Sequence, residues 1–234
     1  MTEKMRLVKF LAAAGIASRR KAADLIAAGM VTVNGKPPLG PGDPVGADDT
    51  VSYNGVPITQ NPLHYLILNK PLGYTCTNFD RHAEKTVFEL INLPDAPKLF
   101  SAGRLDKESE GLLIITNDGD YAAKLMHPRY EILKTYIVKT SRPIPHSELE
   151  RLRGGIVDDG EHLCPRRIDE ISPGQYRFIL NEGKKREIRR LVRAAGARTE
   201  QLQRIQIGQL KLGNLQIGKW RKLTAEEIQA TLHN

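Results

Sequence analysis

Asp106 is the residue in this chain best placed for chemistry. It lies in Gly103-Arg104-Leu105-Asp106-Lys107, a short polar loop that feeds Gly111-Leu112-Leu113-Ile114-Ile115-Thr116, and Asn117-Asp118-Gly119-Asp120 closes the run. The apolar run reads as a buried strand ending in a turn. A loop tethered to a core strand holds its side chains still, and Arg104 and Lys107 beside the carboxylate favour its ionised form. An ionised, well-held carboxylate suits a nucleophile or a base. An ion pair on the surface is the plainer account of the same residues. A glycoside hydrolase could use Asp106 with Glu108 or Glu110, but it needs an acid of raised pKa, and this loop is cationic.

Two further segments carry candidate groups. In Asn181 to Gly196, Ile188, Leu191, Val192 and Ala195 form the buried stripe of a helix, Arg186, Arg190 and Arg193 lie opposite, and Gly196 ends it. Arg189 is about 100° round the helix from Ile188, on the flank between the two faces, where an arginine can reach into a cleft. The remaining arginines read as solvent or phosphate contacts. Lys134 to Lys139 has the β-branched character of a strand and carries one aromatic, Tyr136, which residue type alone assigns to packing. His127-Pro128 breaks a short helix spanning Tyr121 to Met126; no partner at useful spacing suggests acid–base work for His127, which reads as structural or RNA-contacting.

The elements that must position these groups fall into two parts. Leu7, Phe10, Leu11 and Ala14 follow helical spacing up to Gly15. A second helix starts after Ser18 as N-cap, buries Ala22, Leu25 and Ile26, stops at Gly29, and leads through Val31 and Val33 into the Asn34-Gly35 turn. Arg6, Lys9, Arg19, Arg20 and Lys21 are spread over the polar faces, and cations on adjoining short helices can follow a phosphate backbone. Gln60-Asn61-Pro62 reads as the hinge before a new apolar strand, Tyr65 to Leu68, which ends in the turn Asn69-Lys70-Pro71-Leu72-Gly73. Ser147 to Arg153 reads as a helix with Leu149 and Leu152 inward, part of a peripheral scaffold between Pro143 and Ser172. Thr224 to Glu227 is a capping box before a short final helix.

Composition agrees with a polyanionic partner. The chain of 234 residues carries 35 Lys+Arg against 27 Asp+Glu, a formal net charge of +8, and is long enough for one good core and a small extra module. No run approaches the ~18 apolar residues of a membrane span, and the N-terminus lacks the apolar stretch of a signal peptide, so a cytoplasmic protein is expected. Cys76 and Cys164 lack the paired spacing of a zinc site and read as free thiols.

GRLDKESEGLLIITNDGD closely resembles the central motif of the RsuA/RluB-type ribosomal RNA pseudouridine synthases. LNKPLG resembles the first motif of that family and GKKREIRR its third, while RLVKFLAAAGIASRRKAADLIAAGMVTVNGK resembles an S4 RNA-binding domain. Together they span residues 5 to about 223. The resemblance implies an α+β protein: a small S4-like helix-helix-sheet module over residues 1–60, then a synthase domain over 61–234 with a mostly antiparallel mixed sheet flanked by helices. It implies isomerisation of uridine to pseudouridine in ribosomal RNA without metal or organic cofactor. Asp106 would be the catalytic carboxylate, Tyr136 would stack on the target base and assist the late proton removal, and Arg189 would pair with Asp106. Arg104, Leu105, Lys70, Ile188 and Leu191 would bind the substrate base, and Lys184, Lys185, Arg186, Arg190 and Arg193 would join the N-terminal cations on RNA. The wording of HPRYEILKTY and GKKREIRR is nearer the large-subunit type, implying 23S rRNA, with 16S rRNA as the alternative. A monomer with no obligate protein partner is expected. A noncatalytic RNA-binding or ribosome-assembly factor would use the same S4 module and basic surface, but it would not need Asp106, Tyr136 and Arg189 together.

Overall fold

Leu7, Phe10 and Leu11 recur at helical spacing, and in the computed structural model, which describes residues 4–77, 85–94 and 96–234, they form the buried side of α1 (Leu7–Ala13). α2 (Arg19–Ala27) starts where the Lys21 N–H donates to Ser18 Oγ at 3.4 Å, and it buries Ala22 and Ile26 in the same cluster. Short strands complete this part: β1 (Met5–Arg6), β2 (Val31–Val33), β3 (Pro44–Val45), β4 (Val51–Tyr53) and β5 (Val56–Ile58). β1 pairs with β3, and β2, β4 and β5 form an antiparallel sheet in that order.

Contacts along the chain divide it into two compact units, Met1–Leu63 with Asp95–Lys98, and His64–Pro94 with Leu99–Asn234. Gln60-Asn61-Pro62 falls within the first unit. The Asn61 N–H and its side-chain amide both donate to the Ala13 carbonyl, at 3.1 and 3.3 Å, which ties this stretch to the end of α1.

The second unit is built on one sheet. Its strands are β6 (Tyr65–Lys70), β7 (Phe100–Ala102), β8 (Glu110–Thr116), β9 (Lys134–Thr140), β12 (Arg167–Ser172), β13 (Gln175–Leu180), β14 (Thr199–Ile207), β15 (Leu210–Lys211) and β16 (Trp220–Lys222), with β10 (Ile156–Asp158) and β11 (Glu161–Leu163) as a separate hairpin. The order is β12-β13-β9-β14-β8-β6-β16, with β15 added to β14 and β7 to β8. Neighbours are antiparallel except β14 and β8. β8 is hydrophobic on both faces because both are covered: Leu112, Leu113, Ile114 and Ile115 are each 0% exposed, and Leu112 and Ile114 pack with Tyr121, Ala122 and Leu125 of α3 (Gly119–Met126). α4 (His146–Arg153) turns Leu149 and Leu152 inward, α5 (Glu187–Ala194) buries Ile188, Leu191 and Val192, and the Thr224 capping box opens α6 (Ala225–Ala230).

The parallel pairing is short and close. Gln203 and Arg204 lie opposite Glu110 and Gly111, and Gly111 has a φ of +103°, outside the range L side chains readily adopt. A Cβ built on Gly111 would stand 2.3 Å from the Arg204 carbonyl oxygen and 2.8 Å from its nitrogen. Overpacking and backbone strain each cost roughly 1–3 kcal/mol. Gly111→Ala should therefore destabilise the protein by about 3 kcal/mol or more, read from the midpoint of urea unfolding. Gly29→Ala is the control: it also sits at positive φ, +72°, but has nothing within 4 Å of an added Cβ, so it should lose only ~1 kcal/mol. Equal losses at the two positions would mean that the close approach of β14 contributes nothing.

Candidate active site

One face of the sheet forms the floor of a cleft of about 880 Å³. β9 supplies Lys134 and Tyr136, two residues apart and so on one face. β14 supplies Leu202, Arg204 and Ile207, and β13 supplies Leu180. Arg204 lies opposite Tyr136 in the register, with its guanidinium carbon 6.0 Å from the Tyr136 ring centre. Around the floor stand the loop Gly103 to Ser109, the end of α3 at Leu125 and Met126, and the turn Gly183 to Arg186 leading into α5.

The loop bearing Asp106 is held through its backbone on every side. Cys76 Sγ accepts from the Leu105 N–H at 3.4 Å and its thiol donates to the Leu105 carbonyl at 3.3 Å. The Gly73 N–H donates to the Lys107 carbonyl at 2.9 Å, Arg189 Nη2 to the Glu108 carbonyl at 2.6 Å, and Lys70 Nζ to the Ser109 carbonyl at 2.6 Å. Arg186 adds an ion pair to the Glu108 carboxylate at 2.9 Å. The half-buried Asp106 side chain is thus free to face the cleft while its peptide cannot move.

Several expected roles change with this geometry. Lys70 is 0% exposed and lies behind the loop, outside the cleft lining, so it anchors the loop and is not placed to bind a base; burial pulls its ammonium below the ordinary value, with Cys76 and Asp106 opposing. Leu191, 0% exposed, belongs to the core face of α5, whereas Ile188 does line the cleft. Arg189 reaches the loop peptide; among the described residues it makes no hydrogen bond to the Asp106 carboxylate, and its Nε is buried without a partner. Burial, with Arg186 alongside, lowers the Arg189 guanidinium from its ordinary value, while Glu108 and Asp106 oppose this, so Asp106 acts on it through its field.

The basic face of α5 is only partly open to phosphate, because Arg190 is enclosed while Arg193 stays 68% exposed. Arg190 pairs with both Asp158 and Glu161 of the β10–β11 hairpin and is 11% exposed, and Arg193 also bonds Asp158 at 3.2 Å. Lys184 pairs with Glu182 at 2.7 Å. Lys185 is exposed at the cleft with no ion pair shown, as are Arg6, Arg20 and Lys21 in the first unit, where Arg19 is likewise exposed and Lys9 half-buried. Arg104 and Leu105 line the cleft on the Asp106 loop.

Three residues in the cleft have no counterpart in the sequence reading. Arg204 is 3% exposed and Lys134 is half-buried, its ammonium pushed down to about 8 by burial and by Arg204. Glu187, 3% exposed, caps the turn before α5 by accepting the Lys184 N–H at 3.1 Å, and its Oε1 has no partner among the described residues. An acidic residue in the first turn of a helix was the only available signal for Glu187, and it speaks for capping, not burial.

Burial pushes the Glu187 carboxyl up to about 7. The folded state then holds this proton more tightly than the unfolded chain. Its stabilisation is complete below the ordinary 4.5 and is lost as the pH rises through about 7. Glu187→Gln should leave stability near pH 4.5 unchanged. Above pH 7 it should add roughly 1–2 kcal/mol relative to wild type once screening is allowed for, and urea unfolding at the two pH values measures the difference. A gain of the same size at both would mean that ionisation of Glu187 is not its source.

Residues 64–194 match the family model for RNA pseudouridylate synthase, and residues 5–51 match that for the S4 domain. A protein of Bacillus subtilis named ribosomal large subunit pseudouridine synthase B is 36% identical over 231 residues, covering 96% of this chain and 94% of its own. An uncharacterized RNA pseudouridine synthase of Aquifex aeolicus is 38% identical over 233 residues, covering 96% and 92%. A crystal structure of a pseudouridylate synthase superposes with a TM-score of 0.71 at 28% identity, over 97% of this chain and 99% of that one. With the S4 domain ahead of it, and a cleft lined by the GRLDKESEGLLIITNDGD and GKKREIRR segments, the chain belongs to the RNA pseudouridine synthase family.

Proposed function

We propose that this enzyme isomerises a uridine of 23S ribosomal RNA, with Asp106 as the catalytic carboxylate. The observation that carries this is the Asp106 loop, gripped at the peptides of Leu105, Lys107, Glu108 and Ser109, beside a floor where an aromatic ring and a guanidinium are neighbours. The large-subunit target draws on the naming of the Bacillus subtilis relative. A 16S target is the alternative within the same chemistry.

The base must leave its stack to enter the cleft. Tyr136 offers a ring face for it to rest on, next to the apolar Leu180 and Ile188. Asp106 promotes cleavage of the N1–C1′ bond, either by attack on the sugar or by abstracting its 2′ proton. The freed base turns and bonds C1′ through C5, which releases the Asp106 carboxylate from the sugar or is followed by return of its proton to C2′; the proton on C5 then leaves, with Tyr136 assisting, and N1 takes up a proton. A loop fixed by its peptides holds the carboxylate near the reacting carbon, which is where positioning gives most. Arg189 acts as a positioning residue by bonding the Glu108 peptide. Cations crowding the first turn of α2, where a helix prefers anions, favour a phosphate ligand for the first unit, together with Arg6 and Lys9. An rRNA substrate and unpaired thiols fit a cytoplasmic protein.

Incubation of the purified protein with undermodified ribosomal RNA, free and partly assembled, should produce pseudouridine at one position, and Asp106→Asn should abolish it. An active Asn variant would remove Asp106 from this role, and no product with either RNA would sink the isomerase reading. RNA binding separates the two kinds of cation on the third motif. Lys185→Ala should reduce the salt dependence of binding by about one phosphate contact. Arg190→Ala should leave that slope alone and lower the melting temperature, since it breaks the link between α5 and the hairpin. The reverse result would return Arg190 to the RNA surface.

A further inference from the structure

Arg204 is a charged side chain with too few partners. It is 3% exposed, and the one hydrogen bond shown for it among the described residues runs from Nε to the Leu112 carbonyl at 2.7 Å. Its Nη2 is buried with no partner, and among the described residues no carboxylate pairs with it. A second cation, Lys134, stands on the adjacent strand in the same cleft and interacts with it. A buried guanidinium left like this costs several kcal/mol unless something completes its bonding. Its backbone cannot drift to relieve the deficit, because it lies against Gly111. The floor of the cleft thus presents N–H donors and positive charge beside the Tyr136 ring, with no acceptor to match them.

A guanidinium only donates, so it must be met by an acceptor. Uracil supplies two, O2 and O4. When the N1–C1′ bond breaks, its electron pair remains on the base and spreads over N1, O2 and O4. A donor bonded to one of these oxygens is held more tightly as that charge grows, and so lowers the barrier. Cytosine carries an amino group at position 4, and a donor facing a donor would be left unpaired. We propose that Arg204 is a further catalytic residue: its guanidinium donates to a carbonyl oxygen of the flipped uracil and stabilises the base as it departs with the electron pair; where that oxygen is O4, the same bond selects uracil over cytosine. No proton is transferred to or from Arg204; the pair returns when C5 bonds C1′, and the C5 proton leaves as before. This rests on the reading that the cleft isomerises uridine.

The test replaces single atoms of the substrate. Target RNA is synthesised with uridine, 2-thiouridine or 4-thiouridine at the modified position, sulfur being a poor hydrogen-bond acceptor. Single-turnover rates are then measured for wild type, Arg204→Lys and Arg204→Met. Wild type should slow by about tenfold or more with one sulfur and little with the other, which identifies the oxygen. Arg204→Met should be ~10²-fold slower on uridine, the scale of losing one such donor, and should lose nothing further from that sulfur. Arg204→Lys should recover part of the rate. Wild type indifferent to both sulfurs overturns the proposal even if no variant folds, and so do losses that simply multiply, because a purely structural arginine would not register a change on the base. Failure of wild type to isomerise unsubstituted RNA is a separate result, which removes the isomerase reading beneath the proposal.

Discussion

Gly111 has no side chain, and that allows β14 to lie against the start of β8. Everything in the cleft is placed relative to this contact. Five residues before Gly111 is Asp106; across the contact is Arg204, and one strand further is Tyr136, which pairs with Arg204 in register. Carboxylate, guanidinium and aromatic ring are thereby fixed to a single crossing of peptide on peptide, closer than any Cβ would tolerate. The loop adds hydrogen bonds from Gly73, Cys76, Lys70 and Arg189, each worth about 1 kcal/mol net. Their value lies in restricting the loop to one conformation, because misplacing a reacting group by about an ångström is costly in rate.

The electrostatics of the cleft follow from where the cations come to rest. Lys70 is buried behind the loop, Arg189 beside it, and Lys134 and Arg204 are in the floor. Among the described residues none of the four has a carboxylate partner: peptide carbonyls meet Lys70, Arg189 and one nitrogen of Arg204. Burial alone depresses an ammonium, and Arg204 depresses Lys134 further. Positive charge held away from water at a strand face is a standing cost to folding, and a ligand rich in acceptors and phosphates would relieve it. The acidic groups of the cleft wall are occupied elsewhere: Glu108 with Arg186, Glu187 with the Lys184 peptide. Among the described residues lining the cleft, that leaves Asp106 as the carboxylate with neither kind of partner.

Much of this was legible in the sequence where the signal was local. β8 announces itself as an apolar run between a polar loop and an Asn-Asp-Gly turn, and the Ser18 and Thr224 caps mark helix starts that the structure contains. What the sequence could not disclose depended on contacts between distant segments. Lys70 ends a strand and precedes a proline, so it reads as a turn residue; only the folding of the Asp106 loop across it, 39 residues on, makes it a buried anchor. Arg204 sits in Thr199–Ile207, where polar and apolar residues alternate as in any half-exposed strand, and nothing local says that its polar face is the inner one. The break in register between Arg204 and Gln206 compounds this, since it lets Arg204 and Ile207 both line the cleft.

Helix α5 illustrates the same limit with a consequence for recognition. A helical projection separates Ile188, Leu191 and Val192 from Arg186, Arg190 and Arg193 and presents the latter as a continuous basic stripe. The β10–β11 hairpin, drawn from a segment that resembled nothing in particular, brings Asp158 and Glu161 onto that stripe. An arginine fork can satisfy two carboxylates at once, as Arg190 does, and a lysine cannot do so with fixed geometry. The arginines on α5 therefore spend their charge within the protein, holding the helix so that Arg186 and Arg189 clamp the Asp106 loop. Among the described lining residues of this motif, the exposed cation without an ion pair is Lys185, a flexible point charge of the kind suited to a phosphate. Within one short motif, then, arginine braces the helix and the loop while a lysine is left exposed.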